Sequence, residues 1–419
     1  MRLAATLNFD YLIRMAAIQE DKKGYSAELR RIAEVLDAGD LHLAEKVAEA
    51  AIERFPKVIR IRDSLTAILD ARGNAGMALS ICAETARIQV KRLEKVRQKA
   101  GKPPRSLQKE NRVFICGYFY SGSGAVYDYL KDFPGLVGWT PAGEMRLIKF
   151  PGGMWDLVSR CKSEGGLDAQ SLLDFYLHIK GKKIVDHAPD VYSGWGKVNK
   201  HSRALWQKEG GRYYLEACLR CFLELHRRWR GEKIKLKDLK KVLKDYLRQA
   251  FDAAATECQA GYLLIDQAIN AFRLELAELV PPSKFIVVHR DPRDQYVDAS
   301  VALSQPGRKL PSAEEFSESY RSRRNKGVKY TRIIERKFGH EVLTLSFEDF
   351  VLNFDQSHRL VDKFLGLDHC GRRGRFSAEK SKVNIGKYRG VLKESEVESF
   401  CVNNREYLSE YVTHLAGEL

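Results

Sequence analysis

The chain has 419 residues, 44% hydrophobic and 30% charged, an ordinary globular composition that excludes a disordered, fibrous or low-complexity protein. Lys and Arg number 71 against 55 Asp and Glu, and the net charge of +16 favours an anionic partner: nucleotide phosphates, nucleic acid, lipid headgroups or an acidic polymer. No segment reaches the roughly 18–20 apolar residues of a membrane helix, and Met1 to Glu20, broken by Arg2, Asp10 and Arg14, lacks the pattern of a cleaved secretory signal. The eight cysteines are scattered, and only Cys218 and Cys221 form a CxxC. With no second pair at zinc spacing, reduced thiols, a cytoplasmic location and no metal site are expected.

Residues 25 to about 100 read as helices, with apolar residues spaced by three to four. Gly39-Asp40 with Ala44 recurs 34 residues later as Gly73-Asn74 with Ala78. That period resembles tetratricopeptide helical hairpins, and a plain helical bundle with a chance repeat stays open. Two units fall short of the three or so such arrays need. The region is therefore expected to lean on the rest of the protein, on a protein partner or on a second copy. Ala100 to Ser106 reads as a linker. It divides a helical region, 1–105, from a second domain, 106–419, with a helical insertion at about 155–260. Within the insertion Arg220 to Arg248 is rich in Lys and Arg, as a solvated face or as a substrate-facing one. Short apolar runs at Arg112 to Cys116, Tyr262 to Ile265, Phe285 to Val288 and Val342 to Leu345 read as buried strands separated by helical patterns. The fold expected is α/β, a central parallel sheet with flanking helices, preceded by an all-α helical-hairpin region.

Two loops carry the chemistry. Gly117 to Ala125 follows the first strand and opens a helix at Val126. Glycines let the backbone approach an anion, the helix N-terminus adds partial positive charge, and Ser121 and Ser123 add hydroxyl donors. The loop has neither the lysine of a nucleoside triphosphatase nor the spacing of a dinucleotide site. The second loop, His289-Arg290-Asp291-Pro292-Arg293-Asp294, places Arg290 at the carboxyl end of a strand. Ligands bind there in open parallel sheets, and a guanidinium can grip a phosphate through two hydrogen bonds.

Together the loops resemble the paired signature of sulfotransferases that use 3′-phosphoadenosine 5′-phosphosulfate (PAPS). Leu345 to Phe350 followed by Phe364 to Leu367, and Asn384 to Arg389, are similar to two further family segments. The resemblance covers roughly residues 110 to 400 and implies a P-loop-like sulfotransferase fold. It implies that Tyr120, Ser121, Gly122, Ser123, Gly124 and Ala125 hold the 5′-phosphosulfate and that Arg290 and its helix hold the 3′-phosphate. Gly386, Lys387 and Tyr388 would close over the nucleotide. The chain departs from the pattern at two positions. Tyr120 stands where the family has Lys or Arg, and Asp298 where it has a serine; Ser300 lies about 200° further around the helix.

For the base, Glu144 in Gly143-Glu144-Met145-Arg146 resembles a family neighbourhood that supplies a glutamate, and His187 is the rival. His289 is disfavoured because it ends a buried strand. Arg293, Lys149 or Lys387 would replace the missing cation, Lys149 being preferred for its closeness to Glu144. The expected activity is transfer of a sulfonyl group from PAPS to a hydroxyl, on a carbohydrate or glycolipid acceptor, with no metal; a tyrosyl peptide or a small phenolic acceptor stays open. The alternative is a non-catalytic nucleotide-binding scaffold. Nucleic-acid binding is disfavoured because no recognised motif accompanies the basic stretch.

Overall fold

A computed structural model describes residues 25–100, 111–138, 148, 153–179, 211–229, 233–257, 261–303, 311–367 and 376–412. Helices α1 (Tyr25–Asp37), α2 (Leu41–Arg54), α3 (Ile59–Ala71) and α4 (Ala75–Ala100) come first. Strand β1 (Arg112–Gly117), helix α5 (Ser123–Leu130) and strand β2 (Leu136–Gly138) follow. Helices α6 (Met154–Ser163), α7 (Ala169–Ile179), α8 (Gly211–Trp229) and α9 (Leu236–Glu257) precede β3 (Tyr262–Asp266) and a 3₁₀ helix, Ala271–Leu279. Then come β4 (Lys284–His289), α10 (Pro292–Leu303), α11 (Ala313–Phe338), β5 (Glu341–Ser346), α12 (Phe347–Leu352), α13 (Phe354–Leu365), α14 (Ala378–Lys382) and α15 (Glu394–Val412). The chain divides into two units. One holds Met1–Lys102, Phe150–Tyr192 and Leu215–Tyr246; the other holds Pro103–Lys149, Ser193–Tyr214 and Leu247–Leu419. No described helix is long and apolar enough to cross a membrane.

In the helical unit the repeat seen in the sequence is a repeat of hydrogen bonds. Asp40 N–H donates to Val35 O, and Asn74 N–H to Leu69 O, the same bond displaced by one unit. Gly39 and Gly73 both take positive φ, 80° and 76°, which lets each helix end and reverse. Ala44 and Ala78 are fully buried, since only a small side chain fits where consecutive helices meet. Helices α6 and α7, α8 from Leu215 and the first half of α9, which fall in the helical insertion read from the sequence at about 155–260, belong to this unit. Gln170 of α7 donates to Asp70 of α3, and Arg220 of α8 pairs with Glu94 of α4. The two repeats thereby gain apolar and polar partners that they do not have by themselves.

In the other unit the five strands run parallel in the order β2-β3-β1-β4-β5. The four strands read from the sequence are present. The three-residue β2 is too short to give a periodic signal. Both faces are covered, as parallel sheets require. Phe114 stacks on Phe285 with ring centroids 4.8 Å apart, and Phe251 packs edge-on against Phe114. Val113, Ile115, Tyr129, Ile286 and Phe350 share a separate buried cluster, within which Tyr129 donates its hydroxyl to Asp362 at 2.7 Å. Gly117 at the end of β1 pairs in register with Val288, next to the end of β4. The loops that follow both strands therefore emerge side by side at the carboxyl edge of the sheet.

Candidate functional site

The first loop folds into a cradle of hydroxyls. A Cβ built on Gly117 would lie 2.5 Å from Ser121 Oγ, 2.7 Å from Gln267 Nε2 and 2.9 Å from Ser123 Oγ, so only glycine fits. Ser121 Oγ accepts the Tyr118 N–H at 3.1 Å, and Ser123 Oγ accepts from Gln267 Nε2. Each serine oxygen is thus used as an acceptor, which leaves its hydroxyl hydrogen to be donated to an anion. Gln267, just past β3, sits at φ 49°, a strained conformation for a side chain that is not glycine. Its backbone N–H is tied to Ile115 O. The helix opens at Gly122, φ 76°, with no side-chain cap, and Ala125 N–H returns to Gly122 O at 2.9 Å. Gly124 stands open, with no atom within 4 Å of a Cβ placed on it. A methyl group on Gly122 would penetrate the Phe347 ring. Gly122→Ala is expected to lose about 3 kcal/mol or more in urea unfolding, from left-handed strain together with overpacking.

Arg290 stands on the other side of this loop, 2% exposed. Its Nη1 donates to Tyr120 O at 2.9 Å and to Asp298 Oδ2 at 2.6 Å, and its Nη2 donates to Asn384 O. The guanidinium also lies 5.2 Å from the Phe347 ring centroid, and its buried Nε has no hydrogen-bond partner among the described residues. One side chain therefore joins the first loop, α10 and the segment after α14. The turn that presents it follows from local sequence. Pro292 takes the first helical position, where a missing N–H costs nothing. Asp291 caps the helix by accepting Arg293 N–H at 2.9 Å, and its carboxylate also holds the Arg293 guanidinium. Gln295 and Tyr320 both donate to Arg290 O, at 2.7 and 3.0 Å, and fix the backbone there.

Asp294 and Asp298 are four residues apart and share one face of α10. Asp294 accepts Gly386 N–H at 2.7 Å and Tyr388 N–H at 3.0 Å; Asp298 accepts Lys387 Nζ at 2.9 Å. Two carboxylates thereby hold the Gly386-Lys387-Tyr388 loop, while Arg293 lies 4.0 Å over the Tyr388 ring. Burial raises the Asp298 carboxyl, but its hydrogen bonds and charge pairs with Arg290 and Lys387 outweigh this and hold it below the usual range. Asp294 is pushed up to about 6 by burial and by the charge of Asp291.

Glu348 lies behind this turn, accepting Asp291 N–H at 2.9 Å and the Ser346 hydroxyl at 3.0 Å. Burial, against those hydrogen bonds, pushes its pKa up to about 7. The folded state then keeps a proton that the unfolded chain releases near pH 4.3, so this group's contribution to stability is lost as pH rises from about 4 to about 7. Glu348→Gln has no such term. Its stability relative to wild type is expected to rise by about 2–3 kcal/mol between about pH 4.5 and pH 7.5, read from urea unfolding at each pH.

The candidate residues Tyr120 to Ala125, Arg290, Asp298, Gly386, Lys387 and Tyr388 are brought together by these contacts. Ser300 is not: its hydroxyl donates to Tyr296 O of its own helix at 2.8 Å, as the rotation around α10 implies. Glu144, Lys149 and His187 lie outside the described residues. His289 is buried and bonded to Tyr411 through Nδ1 at 2.7 Å, and burial together with Arg324 drives its pKa well below the ordinary value, which suits a structural histidine. Of the proposed replacement cations, Arg293 is held by Asp291 and Lys387 by Asp298. Gln267, Asp294 and Phe347 were missed by sequence reasoning. Asp294 had a signal, the i, i+4 spacing to Asp298; Gln267 and Phe347 enter only because the sheet brings β3 and β5 beside β1 and β4. Among the described residues no group of three or more His, Cys, Asp or Glu is placed to hold a metal ion.

The sequence matches the model of the Sulfotransferase family over residues 112–370. No curated protein matches it. Among solved structures it is similar to the sulfotransferase domain of the olefin synthase of Synechococcus PCC 7002, at 13% identity and a TM-score of 0.34, over 71% of this chain and 97% of that one. It is also similar to the sulfotransferase STF9 from Mycobacterium avium, at 12% identity and a TM-score of 0.38, over 97% of this chain and 96% of that one.

Proposed function

The chain belongs to the sulfotransferase family, and we propose that it transfers the sulfonyl group of PAPS to a hydroxyl of a carbohydrate or glycolipid acceptor. The observation that carries this reading is the juxtaposition of two unlike anion sites at one sheet edge. One is the hydroxyl-lined Gly117–Ala125 loop; the other is the Arg290–Lys387 pair. A donor with a 5′-phosphosulfate and a 3′-phosphate needs two such sites. Ser121 and Ser123 donate to the 5′ group and steady the charge that grows on it as the bond to sulfur breaks. Arg290 and Lys387 take the 3′-phosphate, and Gly386 to Tyr388 cover the nucleotide. Glu144, with His187 as the alternative, removes the acceptor proton during in-line attack, and Lys149 supplies the cation that Tyr120 does not. The helical unit is assigned to partner binding or self-association, in the manner of tetratricopeptide hairpins, and a reducing, cytoplasmic setting suits the thiols of Cys82, Cys116, Cys161, Cys218, Cys221 and Cys401.

The test is calorimetric titration of the full chain with 3′-phosphoadenosine 5′-phosphate (PAP), the desulfated product, followed by transfer of labelled sulfonate from PAPS to a panel of sugars. Binding and transfer are expected; a folded protein that binds no PAP overturns the donor assignment. Tyr120, standing where the family pattern has a cation, favours a second reading, a nucleotide-binding scaffold without turnover. That reading requires PAP binding with no transfer to any acceptor.

A further inference from the structure

The first loop carries, at Phe119, a side chain to which donor binding assigns no role. Phe119 and Tyr120 sit at φ 54° and 49°, and are 48% and 42% exposed. The 3₁₀ helix brings Phe272 against Phe119, with ring centroids 5.3 Å apart. Arg323 of α11 lays its guanidinium against both rings, 5.4 Å from the Phe119 centroid and 5.2 Å from that of Phe272. Burial, and then the charge of Arg273, pull its pKa down. Both effects act against the cation, and among the described residues no carboxylate stabilises it. Arg290 and Arg293 differ on this point, since each is matched to an aspartate. A guanidinium partly withdrawn from water beside a like charge is unfavourable, and two aromatic faces offset only part of that. A bound anion would supply the rest.

We propose that Phe119, Phe272 and Arg323 form the acceptor subsite, and that it takes a sugar whose ring bears a carboxylate. This rests on the reading of the protein as a carbohydrate sulfotransferase. The apolar C–H face of a pyranose covers an aromatic ring, and a carboxylate on that same pyranose comes within reach of a cation a ring's width away. The 5.2–5.4 Å between guanidinium and ring centroids suits an anion carried by the stacked ring itself, rather than by a neighbouring residue of a peptide. Arg can hold such a carboxylate through two parallel hydrogen bonds. Phe119 is two residues from Ser121, so a sugar seated there lies next to the hydroxyl-lined loop.

The test is calorimetry on the full chain saturated with PAP. A hyaluronan tetrasaccharide, which carries ring carboxylates, is compared with uncharged chitotetraose. The acidic sugar is expected to bind at least about tenfold more tightly. Arg323→Gln and Phe272→Ala are each expected to weaken it by about tenfold, with Arg323→Lys recovering part of the loss, while PAP affinity and melting temperature stay at wild-type values. Equal affinity for the two sugars, binding of neither, preference for an acidic tyrosine peptide, or an Arg323→Gln variant that binds as wild type would each overturn the proposal. The PAP titration on the same samples separates that failure from failure of the donor reading.

Discussion

Arg290→Ala is expected to weaken PAP binding by about a hundredfold or more and to destabilise the protein by about 2–4 kcal/mol. The two effects have one origin. In the free protein Arg290 satisfies Tyr120 O, Asn384 O and Asp298 at once. Removing it takes a donor from two carbonyls and, among the described residues, leaves Asp298 paired with Lys387. The first loop and the Asn384–Tyr388 segment then lose the side chain that joins them. Arg290→Lys separates position from charge. It keeps a cation but cannot serve three acceptors in different directions, so affinity is expected to fall nearly as far as in the alanine variant. Calorimetry with PAP and with 5′-AMP reads the difference. The loss is expected to be larger for PAP, whose extra phosphate is the group assigned to Arg290. An equal loss for both ligands would make Arg290 a loop staple and not a phosphate ligand.

Asp298→Asn is expected to act in the opposite direction on binding. The carboxylate of Asp298 lies between the two cations assigned to the 3′-phosphate, and those cations hold it ionised at neutral pH. A phosphate arriving there meets a negative charge and competes for partners already taken. Neutralising that charge while keeping the shape is expected to raise PAP affinity by about tenfold, an effect of about 1–2 kcal/mol at a partly buried site. Affinity for 5′-AMP is expected to stay unchanged. Stability is expected to fall by about 1 kcal/mol, since two ion pairs lose a charge. Tighter binding by a less stable protein is a signature that general loosening of the fold does not produce. If PAP affinity falls instead, Asp298 helps to orient Arg290 for the phosphate rather than competing with it.

Much of the fold was legible in the chain because the signals were local. The runs at Arg112, Tyr262, Phe285 and Val342 are apolar at consecutive positions, which marks strands buried on both faces. Pro292 after Asp291 fixes a helix start regardless of surroundings, and Gly39 and Gly73 fix two helix ends. The motif of the first loop and the Arg290 turn were sufficient to indicate the family. The candidate site was legible only as a set of residues. Ser121, Ser123, Arg290 and Lys387 stand out in the sequence, and the fold brings them to one sheet edge, but the partners that orient them carry no such signal.

What the sequence determined by itself is whatever depends on a few adjacent residues: strands, turns, the glycine-rich loop, the proline-capped helix and the 34-residue repeat. What only the tertiary structure decided is whatever depends on residues far apart in the chain. Gln267 reaches Ser123 across 144 positions, and Arg290 reaches Tyr120 across 170. Helices α6 and α7, and α8 from Leu215, group with the N-terminal helices, from which they are far removed in the chain. Asp298 reads in sequence as a missing serine; in the fold it is the counter-ion that Arg290 and Lys387 share. Arg323 carries no motif at all, and only the fold sets it against Phe119 and Phe272. The physical reason is common to all of these. Backbone conformation is set by local sterics and hydrogen bonding, whereas the free energy of a charge is set by every group packed around it, and packing is known only once the chain has closed on itself.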